Sequence, residues 1–330
     1  MPDSLFSSPG PLRSPRDEKD ERTAAEPTTH LAPDRGRQGD FFTLGIPDAA
    51  PKDDLASMEH PLFALKAGDT RVRTYERNGN TVTVKPGPDG RATIHDKDLW
   101  LYCAGQLVEA KNRGARISRT VRLTMYDFLT ATNRDTSGRA YERAGEMLGR
   151  LTGTRVETNI ETGGRRTRAF WGLVESAKII ERSPNDGRMV SLEVTLPDWL
   201  FRAIDAGEFL TLSRSYYRLR KPLDRRIYEL VRKHCGRQPS WRVSLAVLYQ
   251  KSGSSDALRN FRAAMRSLAE SGVLPDFLMA FDGGRDMVTF YANGPKGRIA
   301  EAKDMLAGRP HASLLAHEKA HTRKTGKRSG

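Results

Sequence analysis

Arg259, Asn260, Arg262 and Arg266 share one side of a helical pattern over Ser254–Leu268, and its other side carries Leu258, Phe261, Met265 and Leu268. No carboxylate lies between Ala257 and Ala269. These residue types suit the reading of double-stranded DNA. An arginine fork grips guanine through two acceptors, an asparagine amide grips adenine, and the same face reaches phosphates. Ser254 or Ser255 is placed to cap this helix by accepting a free N–H of its first turn. Lys251 and Ser252 fall in the turn just ahead, within reach of a DNA backbone. Arg285 stands at the tip of the hairpin that follows, between Asp282 and Asp286, which weaken it as a phosphate contact. Earlier in the chain Arg165, Arg166 and Arg168 cluster at another hairpin, a pattern fit for phosphate or the minor groove.

Catalytic chemistry finds less support. Tyr216-Tyr217 is the one pair that suggests a strand-nicking nucleophile. That reaction needs a metal, and the histidines at 30, 60, 95, 234, 311, 317 and 321 include no His-x-His pair. Core tyrosines are the better reading. His317 and His321 have helical spacing but only Glu318 beside them, so no metal site is assigned. A Gly-x-x-x-x-Gly-Lys-Ser/Thr loop is absent, which removes the phosphate cradle of a P-loop ATPase. Cys103 and Cys235 are too few and too far apart for a disulfide frame or a zinc site, and read as reduced cytosolic thiols. No catalytic residue, metal or cofactor is expected.

The basic helix needs supports. Ser244–Lys251 reads as a short helix ahead of it, and Asp276–Asp282 with Asp286–Tyr291 as a hairpin after it, joined by Gly283-Gly284-Arg285. Pro222–His234 is a helix with Leu223, Ile227, Leu230 and Val231 inward, and Trp241–Val243 is a short strand. That order is a winged helix–turn–helix. The Pro222–His234 region also carries Arg220, Lys221, Arg225, Arg226, Arg232 and Lys233; DNA backbone contact and ordinary solvation both remain open for these.

The first half repeats the layout. Strands are expected at Pro61–Leu65, Thr70–Glu76 and Thr81–Lys85, with Asn78-Gly79-Asn80 a hairpin turn. A helix follows at His95–Lys111, with Leu99, Tyr102, Cys103, Gln106 and Leu107 on one face. Thr120–Leu123 is a strand, Thr124 caps a short helix with Tyr126, Phe128 and Leu129, and Ser137–Leu151 is a longer helix. That longer helix exposes Arg139, Arg143 and Arg150 but also Glu142 and Glu146, and is the poorer groove reader. Arg155–Ile160 and Thr167–Ile180 form a hairpin around Gly163-Gly164, Met189–Leu196 adds a strand, and Pro197–Ala206 is a helix opened by proline. The capped long helix begins 13 residues after Thr124 in the first half and 11 after Ser244 in the second. The expectation is therefore an α+β chain with two winged-helix domains in tandem, 41–207 and 208–292, between disordered tails.

Charge agrees with this layout. The chain has 330 residues, a net charge of +14 and a pI near 9.9. Residues 208–330 hold 24 Lys/Arg against 11 Asp/Glu, whereas residues 1–57 hold 7 against 11. The excess lies where a surface must offset phosphates. Residues 1–40 are rich in Pro, Ser, Thr and charge, and are expected to be disordered. Phe41, Phe42, Leu44 and Ile46 form a small patch expected to dock on the first domain. Residues 293–330 read as a short helix, Gly297–Leu306, and a basic tail with Arg323, Lys324, Lys327 and Arg328. No run approaches the ~20 apolar residues of a spanning helix, and no signal peptide opens the chain, so a cytoplasmic protein without membrane partners is expected.

Several long stretches resemble the plasmid replication initiator protein A family of bacteria. They are Ala50–Asp54, Ser57–Phe63, Ala92–Asp98, Arg214–Cys235 (with Tyr217-Arg218-Leu219) and Ser244–Gly253. The resemblance covers roughly Phe41 to Tyr291. It implies an initiator that binds repeated sites in a plasmid origin and works with a host initiator and helicase to open it. It also implies two winged helices and a possible monomer–dimer switch, for which Thr70–Lys85 is the surface to inspect. A winged-helix repressor shares every physical feature above, and a strand-nicking initiator is the less favoured reading.

Overall fold

Two helices buried almost all round, one from each half of the chain, carry the packing. The computed structural model describes residues 41–43, 45–46, 49–77, 80–159, 161–162, 165–166, 168–181 and 189–309. The expected disordered tails, the hairpin tips at 78–79 and 163–164, and His30, His311, His317 and His321 lie outside them. The order begins β1 (Phe41–Thr43), β2 (Lys52–Asp54), α1 (Leu55–Glu59), β3 (Arg73–Arg77) and β4 (Asn80–Lys85). It continues with α2 (Asp98–Asn112), β5 (Thr120–Leu123), α3 (Met125–Ala131), α4 (Gly138–Gly153) and β6 (Arg155–Thr158). Then come β7 (Glu161–Thr162), β8 (Arg165–Arg166), β9 (Ala169–Gly172), β10 (Ser176–Glu181), β11 (Met189–Thr195), α5 (Asp198–Ala206) and β12 (Phe209–Thr211). The last part holds α6 (Pro222–Cys235), β13 (Ser240–Ser244), α7 (Leu245–Ser252), α8 (Leu258–Ser271), β14 (Phe277–Asp282), β15 (Met287–Ala292) and α9 (Pro295–Leu306). This is a mixed α/β fold whose sheets are antiparallel apart from the β1–β5 pair.

Both halves use one plan. A central helix is followed by a strand, a short helix, a long amphipathic helix, and a hairpin whose second strand pairs with that first strand. In the second half the elements are α6, β13, α7, α8, β14 and β15, with β13 against β15. In the first they are α2, β5, α3, α4, β10 and β11, with β5 against β11. Local chemistry sets the matching starts. Thr124 Oγ1 accepts the Asp127 N–H at 3.1 Å, and Ser244 Oγ accepts the Val247 N–H at 3.3 Å.

The hairpin expected in the first half is present in β6 and β9, which pair antiparallel with Arg155 opposite Gly172, but it joins β3 and β4 in a separate sheet ordered β3-β4-β6-β9 rather than the sheet of β5. The strand expected over Thr167–Ile180 is broken, into β9 and β10. Leu173 and Val174 turn inward between them, donating their N–H groups to Thr154 and Leu151. A Cβ on Gly172 would meet the Val174 carbonyl at 2.8 Å, so glycine permits the bend. Pro61–Leu65 is not a strand beyond one bridge, Ala64 to Thr93. Pro197 stands one residue before α5 rather than inside it.

Among the described residues the core has two large clusters and a small one of Leu278, Ala280 and Tyr291. Leu99, Trp100, Tyr102 and Leu107 of α2 pack with Val121, Phe128, Leu148, Leu151, Leu192 and Leu200. Ile227, Leu230 and Val231 of α6 pack with Leu245, Leu248, Phe261, Met265, Leu268 and Phe290. Each such side chain contributes roughly 1.5–3 kcal/mol on burial. The sequence reading divides the chain at 207/208. Across that point β2 pairs with β12, and Met58 and Leu101 belong to the cluster around α6.

Buried charge also crosses it. Lys97 Nζ bonds Asp53 at 2.8 Å and Glu229 at 3.0 Å, and all three side chains are almost fully enclosed. Arg226 Nη1 donates to Glu229 at 3.2 Å and to the Ser57 carbonyl at 3.2 Å. Such groups are tolerable in the interior only because each is paired.

Candidate nucleic-acid interface

The basic helix α8 begins at Leu258, four residues later than its sequence pattern suggests, and neither Ser254 nor Ser255 caps it. Ala257 is the N-cap and offers no side-chain acceptor. Residues 253–257 are spent on a turn instead. Gly253 closes α7 at φ 70°, Ser254 Oγ accepts the Asp256 N–H at 3.3 Å, and Tyr249 donates to the Asp256 carbonyl at 2.7 Å. Ser255 is exposed in that turn. Leu258, expected in the apolar stripe, is 40% exposed; Phe261, Met265 and Leu268 alone bury the inner side.

Outward, α8 presents Arg259, Asn260, Ala263, Arg266 and Ser267, all exposed. Glu270, in the last turn, is its only carboxylate. The helix dipole places positive character at the Arg259 end, which favours phosphate there. Arg266 leans towards the hairpin, its guanidinium carbon 5.9 Å from the Phe281 ring centre. Arg262 leans the same way. Its Nε donates to Asp286 Oδ1 at 2.8 Å, and its Nη2 binds the other oxygen. That bond holds the Asp286 carboxyl below the usual carboxylate range. Arg285 is exposed at the hairpin tip, where its backbone N–H donates to Asp282 Oδ1 at 3.1 Å.

Lys251 and Ser252 are engaged within the protein. Both belong to α7 rather than to the turn after it. Lys251 Nζ pairs with Glu59, which also binds Lys233 at 2.9 Å and lies 3.4 Å from His234. Burial opposes ionisation of Glu59, but hydrogen bonds from His234, Lys251 and Lys233 outweigh it and hold the carboxyl well below its ordinary range. Ser252 is fully buried, donating to the Tyr249 carbonyl at 2.7 Å.

The first-half candidates divide. Arg165 and Arg166 form β8 in register with Thr162 and Glu161. Arg168 is exposed, pairs with Glu157 and lies over the Phe170 ring at 5.5 Å. On α4, Arg139 and Arg143 are exposed, but Arg150 is not a surface cation. It grips Asp96 through Nε at 2.8 Å and Nη2 at 2.9 Å.

Neither open reading fits the arginines near the start of α6. Arg225 and Arg226 are buried and make internal ion pairs. The available signal was Glu229, four residues after Arg225 and three after Arg226, on the same side as the apolar positions. Tyr216 and Tyr217 are also buried, and Tyr216 Oη donates to Glu229 at 2.7 Å. Burial raises both phenols well above their ordinary range, far from a nucleophile's requirement. Among the described residues, no group of three His, Cys, Asp or Glu could hold a metal ion, and no helix is long and apolar enough to cross a membrane.

Comparison with known proteins now adds to the geometry. Residues 52–279 match the model of the family described as Replication initiator protein A. The "Putative replication protein" of Wigglesworthia glossinidia brevipalpis is 39% identical over 252 residues, covering 76% of this chain and 92% of that protein. Among solved structures, domains 2 and 3 of RctB align with a TM-score of 0.53 at 11% identity, over 73% of this chain and 97% of theirs. At that identity the likeness is one of fold. The family match spans both central helices and both helix pairs and ends just inside the second hairpin, and it places this chain in the replication initiator protein A family.

Proposed function

We propose that this protein is a plasmid replication initiator that binds repeated sites in an origin as double-stranded DNA, without catalysis. It then promotes opening together with a host initiator and helicase. Each half is read as a winged helix, with α8 as the principal groove-reading helix and α4 as its weaker counterpart. The observation that carries this reading is the outward face of α8. It presents two arginines and an asparagine around the small residues Ala263 and Ser267, so the helix can sit deep in a major groove. The carboxylates near α4, Glu142 and Glu146, face solvent beside Arg139 and Arg143 and reduce its pull on phosphate. The protein is expected to act in the cytoplasm, with a homodimer as a possible second form.

Footprinting the purified protein on DNA from around its own gene tests the proposal. Protection of tandem direct repeats at helical spacing supports it, and protection of a lone palindrome favours a repressor instead. Incubation with supercoiled DNA and a divalent metal checks the absence of catalysis; a covalent protein–DNA adduct would establish a nicking enzyme.

A further inference from the structure

We infer that Asp286 is a specificity-determining residue, which holds the Arg262 fork in the orientation that reads one guanine. The inference rests on the groove-reading role proposed for α8. The carboxylate takes the Nε–H and one Nη2–H of Arg262, the side edge of the guanidinium. Such a bond leaves the end edge, Nη1 with the second Nη2 hydrogen, intact and directed away from the carboxylate. That edge still offers two parallel N–H donors to O6 and N7 of guanine. An unrestrained arginine on a helix surface swings between bases and phosphates and reads neither firmly.

Asp286 is itself held. Its backbone adopts φ 49°, a left-handed conformation, and its carbonyl accepts the Leu245 N–H at 2.8 Å, at the start of α7. The residue therefore ties three parts together: the start of β15, the start of α7 and the side chain of Arg262. Both charged groups remain about a third or more exposed, 35% for Arg262 and 41% for Asp286, so the pair lies open to a docked duplex. A carboxylate here opposes phosphate approach, and the structure offsets that repulsion with orientation.

The substitution that tests this is Asp286→Asn. Asparagine also tolerates left-handed backbone, so the hairpin keeps its shape while the charge is lost. Binding is measured on the footprinted site, on variants with each guanine replaced, and on random duplex. The expected result is about a ten-fold loss of discrimination at one guanine, with random-duplex affinity unchanged or tighter. Arg262→Lys keeps the charge without the fork and should lose discrimination at that same base pair. Equal tightening on all three DNAs with discrimination intact would show that Asp286 acts only as a repelling charge, and would overturn the assignment alone. A wild-type protein that prefers no duplex overturns the groove-reading role and this assignment with it.

Discussion

Arg225 in the first turn of α6 reaches Asp98 at the first residue of α2, Nη1 to Oδ1 at 2.5 Å, with both side chains buried. The other Asp98 oxygen accepts from Arg134 at 2.9 Å, and Arg225 Nε donates to the Leu219 carbonyl at 2.7 Å. The central helices of the two halves are thus joined by a fully partnered charge pair. Removing one member leaves the other charged in the interior, which costs about 3–5 kcal/mol. Asp98→Ala should lower urea stability by that amount. Because the pair links both clusters, fluorescence and circular dichroism of the wild-type protein should report one shared transition, and two separated transitions in it would refute the link.

Stability should also depend on pH through Asp53. Burial raises its carboxyl to about 7, against the pull of Lys97. An unfolded aspartate titrates near ~3.9, so between these values the native state holds a proton that the unfolded state releases. The contribution is present at low pH and is lost as pH rises through 7. His95 acts the other way: burial and Arg225 push it down to about 4, so its contribution is lost as pH falls below its usual ~6.5. Comparison with Asp53→Asn isolates the first effect. Wild-type stability minus that of the variant should fall from pH 5 to pH 8, by at most about 1.4 kcal/mol per pH unit for one proton. A flat difference would rule the effect out.

Arg259 and Lys251 should part company in salt titrations. Arg259 is exposed on the groove side of α8, whereas Lys251 is committed to Glu59. Arg259→Ala is expected to reduce the slope of log affinity against log salt by about 1. Lys251→Ala should leave the slope unchanged and lower the melting temperature. Asn260→Ala should weaken cognate DNA by ~1–3 kcal/mol and random duplex much less.

Gly253 should tolerate no side chain. It holds φ 70°, and a Cβ there would lie 2.5 Å from Pro61 Cβ. Gly253→Ala is therefore expected to cost more than the ~1 kcal/mol typical of a left-handed position alone, because the α7–α8 turn must move off Pro61. Thermal unfolding measures the cost, and a neutral change would show that the turn yields freely.

Much of this arrangement is readable from local chemistry. Thr124 and Ser244 announce their helices, because a hydroxyl before an apolar-periodic run has one efficient use. The Asp276–Tyr291 hairpin and α6 also follow from spacing alone. What failed required knowledge of distant partners. Ser254 and Ser255 look like caps until Tyr249 and Lys66 draw Asp256 into the turn. The Thr167–Ile180 run reads as one strand until Leu173 and Val174 turn inward to Thr154 and Leu151 and split it. Arg150, Arg225 and Lys251 look like surface cations because a helical pattern shows which side a residue faces, and not which carboxylate waits there. The exposed side of α8 was legible in the sequence, and the positions whose side chains turn inward to a partner were not.

The β2–β12 ladder has a bearing on synthesis. Lys52 pairs with Thr211, and Met58 enters a cluster completed by Phe290, so an early-made segment must wait for most of the polypeptide to leave the ribosome. Its contacts close a loop of long sequence separation, and such closures form late. A fragment ending near residue 207 would strand Met58 and Leu101 in water, inviting capture by chaperones or by other nascent chains.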